Sequence, residues 1–134
     1  MIELPIRVAC VLNSHAPFDE QIHQLYYKNI KFAAPAADVS FYQAAEGHYP
    51  DLSVQYHLVI IGGGVTDPQY PKGWHDEMVT FIKDVVANYP RTRLLGIGWG
   101  HEIICLAYGG KVEPLDRPIV SNLPRPLRGS PFKS

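Results

Sequence analysis

Short apolar runs alternate along this chain with longer segments whose apolar residues recur at helical spacing. Four runs predict strands, at residues 6–12, 39–42, 57–61 and 93–97. The first run is rich in β-branched residues and nearly all apolar, which is typical of a strand buried on both faces of a sheet. The third run leads directly into three consecutive glycines, so we expect a tight turn where that strand ends.

Three segments predict helices. The first begins at Asp19 and is stopped by Pro35, the second spans residues 74–89, and the third spans residues 101–108 and ends in a pair of glycines. The first helix has the apolar stripe Ile22, Leu25, Tyr26 and Ala33, and the second has the stripe Trp74, Met78, Phe81, Ile82, Val85 and Tyr89. One stripe on each helix indicates that each covers a face of the sheet.

Strands that alternate with helices through short turns predict an α/β fold with a doubly wound, mostly parallel sheet. Such sheets bind ligands at the edge formed by the carboxyl ends of the strands. The turns after strands are therefore the candidate functional segments, at residues 13–15, 62–67 and 98–102.

The last part of the chain differs in composition. Residues 114–134 contain five prolines, four basic residues and one acidic residue, without a helical period. This composition favours an irregular segment that packs on the domain or contacts a partner. We therefore divide the chain into an α/β domain at residues 1–113, in which residues 111–113 begin a further strand, and a proline-rich basic tail.

Composition narrows the possible partners. An apolar fraction of 46% over 134 residues fits one compact domain. The formal net charge of -1 gives no electrostatic reason to expect nucleic acid or an anionic membrane as a partner. No apolar run is long enough to span a bilayer, and the first residues lack the pattern of a signal peptide. We expect a cytoplasmic protein, with Cys10 and Cys105 as reduced thiols in apolar runs.

The turn after the fourth predicted strand reads Gly-Ile-Gly-Trp-Gly-His-Glu from Gly96 to Glu102. Its order and spacing resemble the signature of the class I glutamine amidotransferases, Gly-Ile-Cys-x-Gly-His-Gln followed by an apolar helix and Gly-Gly-x-Val. Upstream, the strand leading into the glycines is similar to the family's oxyanion strand, and Asp67 and Trp74 resemble its acidic and tryptophan landmarks. The resemblance covers about residues 5–113 and implies a flavodoxin-like sheet, with the turn at Gly98 as the family's nucleophile elbow.

The resemblance also implies what this chain lacks. Gly98 stands where the signature has its cysteine, and glycine has no side chain that can attack a carbonyl. The family needs a histidine and a glutamate downstream, but no histidine follows His101, and the only acids after Glu102 are Glu113 and Asp116. Cys105 lies within the predicted helix and is no substitute. We interpret the chain as a C-terminally truncated member without the catalytic triad, which does not hydrolyse glutamine.

Titratable residues at the strand ends are the candidate catalytic groups: His101, Glu102, His15 and Asp67. A helix start favours the Glu102 carboxylate and lowers the proton affinity of His101. The two residues can therefore act as acid and base, or Glu102 can cap the helix while His101 packs on the neighbouring turn. His15 is a single loop histidine, which is more often a surface or capping residue than a catalytic one.

Glycines and aromatic residues near the same turns are the candidate substrate-binding groups: Gly63, Gly64, Tyr70, Trp74, Gly98 and Trp99. The glycine amides can form a nest for an anionic or carbonyl oxygen, or the glycines can simply permit a tight turn. Trp99 either walls an apolar pocket in the space left by the cysteine or fills that space. We expect His75 on the exposed flank of its helix. No residue spacing is typical of a metal or nucleotide site, so we expect no metal and no cofactor.

Two functions fit these observations. One is an enzyme that uses the amidotransferase scaffold for a non-covalent cyclase-, isomerase- or lyase-type step on a small, largely apolar molecule in specialised metabolism. The other is a catalytically inactive binding or regulatory subunit. We favour the enzyme because the turns at the strand ends are rich in polar and aromatic residues. A homodimer is also consistent with an uncovered sheet edge.

Overall fold

The computed structural model describes residues 5–13, 19–62 and 73–110. Within these ranges, parallel strands alternate with helices, so the predicted α/β architecture is confirmed. The strands are β1 (Arg7–Leu12), β2 (Asp38–Gln43), β3 (Leu58–Gly62) and β4 (Arg93–Gly96), and the helices are α1 (Asp19–Ala33), α2 (Gly73–Asn88) and α3 (Trp99–Ala107). The strand predicted at residues 111–113 and the tail lie outside the described residues.

The described strands form one parallel sheet in the order β2-β1-β3-β4. This is the order of the first four strands of a flavodoxin-like sheet. The chain moves outward from β1 to β2 and then crosses back to β3, so the direction of winding reverses between β1 and β3. The carboxyl ends of these two strands, Leu12 and Gly62, are paired in register. Ligands of such sheets bind at this reversal point.

Alternate residues of β1 point into two separate cores. Val8, Cys10 and Leu12 belong to the core on the α1 side of the sheet. Ala9 and Val11 belong to the core that contains α2 and α3. Both faces are therefore covered, which explains why the β1 sequence is apolar throughout instead of alternating with polar residues.

The apolar stripe of α1 is narrower than its sequence predicts. Ile22, Tyr26 and Ile30 pack against the sheet, whereas Leu25 is 59% exposed and Ala33 is also exposed. Residues four apart share one face of a helix, so positions 22, 26 and 30 lie above one another. Leu25 precedes Tyr26 and is turned away from that face by about 100°. Its assignment to the stripe was wrong.

Strand β4 is the last strand of the described sheet. The apolar run at residues 93–97 predicts a buried strand, but Leu95 is 45% exposed and Ile97, just after the strand, is 44% exposed. Within the described part of the chain, β4 pairs with β3 on one side only. By contrast, the stripe of α2 is confirmed, since Met78, Ile82 and Val85 have no exposed surface.

Candidate functional site

The turn between β4 and α3 is a type II′ turn at residues 97–100, which we call the elbow. The amide of Gly100 donates to the carbonyl of Ile97 at 3.0 Å. Gly98 adopts φ 58° and ψ -118°, the mirror image of the second residue of a type II turn. This conformation favours glycine. A Cβ built on Gly98 would have no heavy atom of the other described residues within 4 Å beyond its two chain neighbours, so no described side chain packs on the apex of the elbow.

Two further glycines let the elbow pack against backbone atoms. A Cβ on Gly100 would collide with the carbonyl of Ile61 in β3. A Cβ on Gly96 would come within 2.7 Å of the amide nitrogen of His101. In addition, the amide of Ile97 donates to the carbonyl of Ile61 at 2.9 Å. The elbow is therefore held directly against β3, at the carboxyl edge of the sheet.

Trp99, the residue after the apex, is part of a buried aromatic cluster. Its side chain is 6% exposed, and its ring centroid lies 5.3 Å from that of Trp74 and 5.7 Å from that of His75. His75 is only 2% exposed, so its predicted place on an exposed flank was wrong. His75 lies three residues before Met78 and seven before Ile82, which is the spacing of the buried stripe. This spacing indicates a buried position, and the sequence prediction overlooked it.

Buried polar atoms without partners lie at the same edge of the sheet. Asn13, which follows β1, is 1% exposed, and neither its Oδ1 nor its Nδ2 has a hydrogen-bond partner within the described ranges. The same is true of Trp99 Nε1. Buried polar atoms normally have partners in proteins or bound molecules. The carboxyl edge thus contains two N–H donors and one acceptor that can recognise a polar group.

His101 and Glu102 occupy the first turn of α3 but do not form a pair. Consecutive helical side chains diverge by about 100°, and only residues three or four apart face each other. His101 is exposed, and its Nε2 lies 3.8 Å from the Sγ of Cys105, four residues on. The sequence prediction missed this contact, although the spacing of four would have revealed it.

Glycine at the end of β3 serves close packing. A Cβ on Gly62 would come within 2.9 Å of the ring carbon Cζ of Tyr26, which reaches over from α1. At this position the glycine permits contact between helix and strand. The other predicted site residues of the neighbouring turns lie outside the described residues: His15, Gly63, Gly64, Asp67 and Tyr70.

The thiol of Cys10 is unreactive in the folded protein. Cys10 is fully buried in the middle of β1, and burial raises the pKa of its thiol to about 12. It is therefore protonated at neutral pH and is not a nucleophile. Among the residues that the structure describes, no group of three His, Cys, Asp or Glu side chains is placed to hold a metal ion. The absence of a metal stays a prediction.

Comparisons with known proteins agree with the resemblance of the elbow. The glutamine amidotransferase-like protein chyE of Penicillium rubens is 26% identical over 114 residues, which cover 82% of this chain and 48% of that protein. The glutamine amidotransferase-like protein chry6 of Gibberella zeae is 31% identical over 104 residues, which cover 75% of this chain and 41% of that protein. The matches thus span less than half the length of either relative. No solved structure matches the chain.

Across the described helices, none is long and apolar enough to cross a membrane.

The sequence model of the glutamine amidotransferase class-I family matches residues 18–130, which include the elbow and most of the chain. The chain therefore belongs to the class I glutamine amidotransferase family.

Proposed function

We propose that this protein does not hydrolyse glutamine and instead catalyses a non-covalent cyclase-, isomerase- or lyase-type step on a small, largely apolar molecule in specialised metabolism. The observation that carries the proposal is the elbow itself. Its turn is formed in full around a glycine that has no side chain, and no described residue beyond the chain neighbours packs on the apex. A site with this backbone and no nucleophile can orient a substrate but cannot form a thioester with it.

Polar groups around the elbow supply the remaining chemistry in this proposal. His101 is exposed on the first turn of α3, where it can transfer a proton to or from a substrate. Glu102 is half-buried one residue later. The side-chain donors of Asn13 and Trp99, which have no partner among the described residues, can polarise a carbonyl group of the substrate. Orientation and fixed dipoles are sufficient to accelerate a rearrangement or an elimination that needs no covalent intermediate.

A binding or regulatory subunit is the second candidate, and the burial of Trp99 favours it. The indole is 6% exposed and packs against Trp74 and His75, so side chains of the protein itself fill the interior beside the elbow. In that case the protein acts through its surface or its basic tail.

A glutaminase assay tests the shared premise of both candidates. We expect no ammonia from glutamine with the wild-type protein, because Gly98 has no side chain that can attack the amide. We also expect none with Gly98→Cys, because no described residue beyond the two chain neighbours lies within 4 Å of a Cβ at position 98 to take up the proton of the new thiol. Gly98→Ala is the matched control, since it imposes the same backbone strain without a thiol. Ammonia release that increases with the concentration of either the wild-type or the cysteine variant would refute the premise.

Turnover of a pathway intermediate separates the enzyme from the binding subunit. The compounds implied by the neighbouring genes are incubated with the protein, and products are identified by mass spectrometry. We expect His101→Ala to lower kcat by about a hundredfold or more while the Kd for the substrate is kept. His48→Ala is the matched control, because His48 is also exposed but lies in the loop after β2. Unchanged kcat in His101→Ala would refute its role, and binding without turnover would favour the subunit.

A further inference from the structure

A groove of about 550 Å³ lies at the amino-terminal edge of the sheet, opposite the elbow. It forms where β1, β3 and β4 begin and where α2 ends. Its volume falls within the range of small-molecule binding sites. The residues that matter for its chemistry are Arg7, Gln55, His57, Asn88, Tyr89 and Arg91.

We propose that this groove binds a small organic anion, in which a carboxylate or phosphate monoester is joined to a compact apolar group. Two arginines, Arg7 and Arg91, line the groove, and among the residues that the structure describes no acidic one does. Guanidinium groups bind both kinds of anion through paired N–H donors. Tyr89 and the neighbouring Pro90 provide an apolar wall. This site is separate from the elbow and does not depend on the function proposed there.

Negative charges near the groove do not cancel the two arginines. Two acidic residues of the adjoining elements are Asp84 on α2 and Asp38, which is paired in register with Arg7. Asp84 already accepts a hydrogen bond from Asn88 Nδ2 at 2.6 Å. The carboxyl end of α2 adds a partial charge of about -0.5. Because none of these acids lines the groove, an anion that enters it meets the guanidinium groups first.

The side chain of Arg7 is held in place by an unusual backbone conformation. Gln55 has φ 66°, and it is the one non-glycine residue with positive φ in the described part of the chain. Its carbonyl accepts a hydrogen bond from Arg7 Nη2 at 2.9 Å. The Nε of Arg7 is buried and has no hydrogen-bond partner in these same ranges. Backbone strain of this kind concentrates at sites that clamp ligands. Arg7 is therefore a fixed cation with a donor still to be satisfied.

His57 supplies a further oriented donor. The backbone amide of Arg7 donates to His57 Nδ1 at 3.0 Å, so the neutral imidazole carries its proton on Nε2. The floor of the groove is also fixed, because Thr92 Oγ1 donates to the carbonyl of Tyr56 at 2.7 Å. The groove thus combines two cations with one N–H donor on a rigid base.

Titration of ¹⁵N-labelled protein by NMR tests the proposal. The probes are phenyl phosphate, benzoate and inorganic phosphate. We expect saturable shifts of the amides of His57, Tyr89, Arg91 and Thr92 with phenyl phosphate or benzoate, and weaker binding of inorganic phosphate. A preference for phenyl phosphate identifies a phosphate ester, and a preference for benzoate identifies a carboxylate.

Arg91→Gln is the more informative of the two possible arginine variants. Arg91 is exposed, whereas Arg7→Gln would also remove the hydrogen bond from Arg7 to the carbonyl of Gln55. We expect Arg91→Gln to weaken binding by about tenfold. Lys28→Gln is the matched control, because it removes one exposed positive charge from α1 and should leave binding unchanged. Three results would overturn the proposal: no saturable shifts at millimolar concentrations, equal affinity in Arg91→Gln and wild type, or an equal loss in Lys28→Gln.

Discussion

Replacement of Gly100 by alanine tests how the elbow is held against β3. Gly100 is the second residue of α3, where helix propensity alone would make alanine stabilising by about 1 kcal/mol. The added methyl group would instead meet the carbonyl group of Ile61. That oxygen already accepts a hydrogen bond from the amide of Ile97 at 2.9 Å. Because the obstructing atoms belong to the backbone, α3 and β3 must move apart.

The two effects have opposite signs, and the collision should dominate. Overpacking of a core costs about 1–3 kcal/mol, and a collision with backbone belongs at or above the upper end of that range. After the gain in helix propensity, we expect Gly100→Ala to lower the free energy of unfolding by at least about 2 kcal/mol. Gly98→Ala is the matched control. Among the described residues its methyl group meets no heavy atom within 4 Å, so only the strain of the backbone at φ 58° and ψ -118° remains, about 1–3 kcal/mol.

Urea unfolding, followed by circular dichroism and tryptophan fluorescence, measures both variants. The chain has two tryptophans, and both Trp74 and Trp99 lie in the aromatic cluster beside the elbow. Native-state emission therefore reports any displacement of α3. A Gly100→Ala variant as stable as the wild type, with unchanged emission, would refute the expected collision with β3. A larger loss in Gly98→Ala than in Gly100→Ala would show that backbone strain matters more than the contact with β3.

Three further predictions concern the cores. Thr92→Val removes the hydroxyl that donates to the carbonyl of Tyr56 at 2.7 Å, and the unpaired carbonyl should lower the free energy of unfolding by about 1–3 kcal/mol. The exposed control Thr80→Val should change it by less than about 0.5 kcal/mol, and equal urea midpoints for the two variants would contradict this expectation. Near neutral pH, a thiol reagent should modify the half-buried Cys105 of the native protein, and it should modify Cys10 only after urea is added. Modification of the native Cys105→Ala variant would contradict this expectation, because it would show that Cys10 is accessible. Burial raises the pKa of Cys10 from its ordinary value of 9.0 to about 12, so between these values only the unfolded state loses the proton. The free energy of unfolding should therefore hold below pH 9 and fall as the pH rises towards 12, and urea midpoints for Cys10→Ala should show a smaller fall.

The local elements could be predicted because their signals are local. The β-branched run of β1 and the apolar stripe of α2 each identified an element to within one residue. The exposure of β4 could not be predicted in the same way, because it depends on which strands flank it in the sheet. The order of strands is set by contacts between distant segments and leaves no mark within the strand itself.

The candidate site, too, could be predicted only where its signals are local. The glycines of the elbow were visible in the sequence, but the type II′ geometry and the lack of described side chains packed on Gly98 depend on how the elbow packs against β3. His101 was found, whereas its contact with Cys105 was overlooked in favour of its neighbour in sequence. The groove at the opposite edge was not predicted, because its residues come from three separate segments, near Arg7, His57 and Arg91, that share no motif.

The conformation of Gly98 has a consequence for how such a protein can evolve. A cysteine at this position would have to adopt the conformation φ 58° and ψ -118°, which glycine adopts freely, at a cost of about 1–3 kcal/mol. Replacing such a cysteine by glycine would remove the nucleophile and, by the same step, make the native state more stable. Most substitutions destabilise proteins. The stability gained at position 98 therefore lets a chain accept further substitutions, such as Trp99 and Glu102 beside the apex. Giving up one reaction at the elbow thus provides the tolerance from which a different activity can be selected.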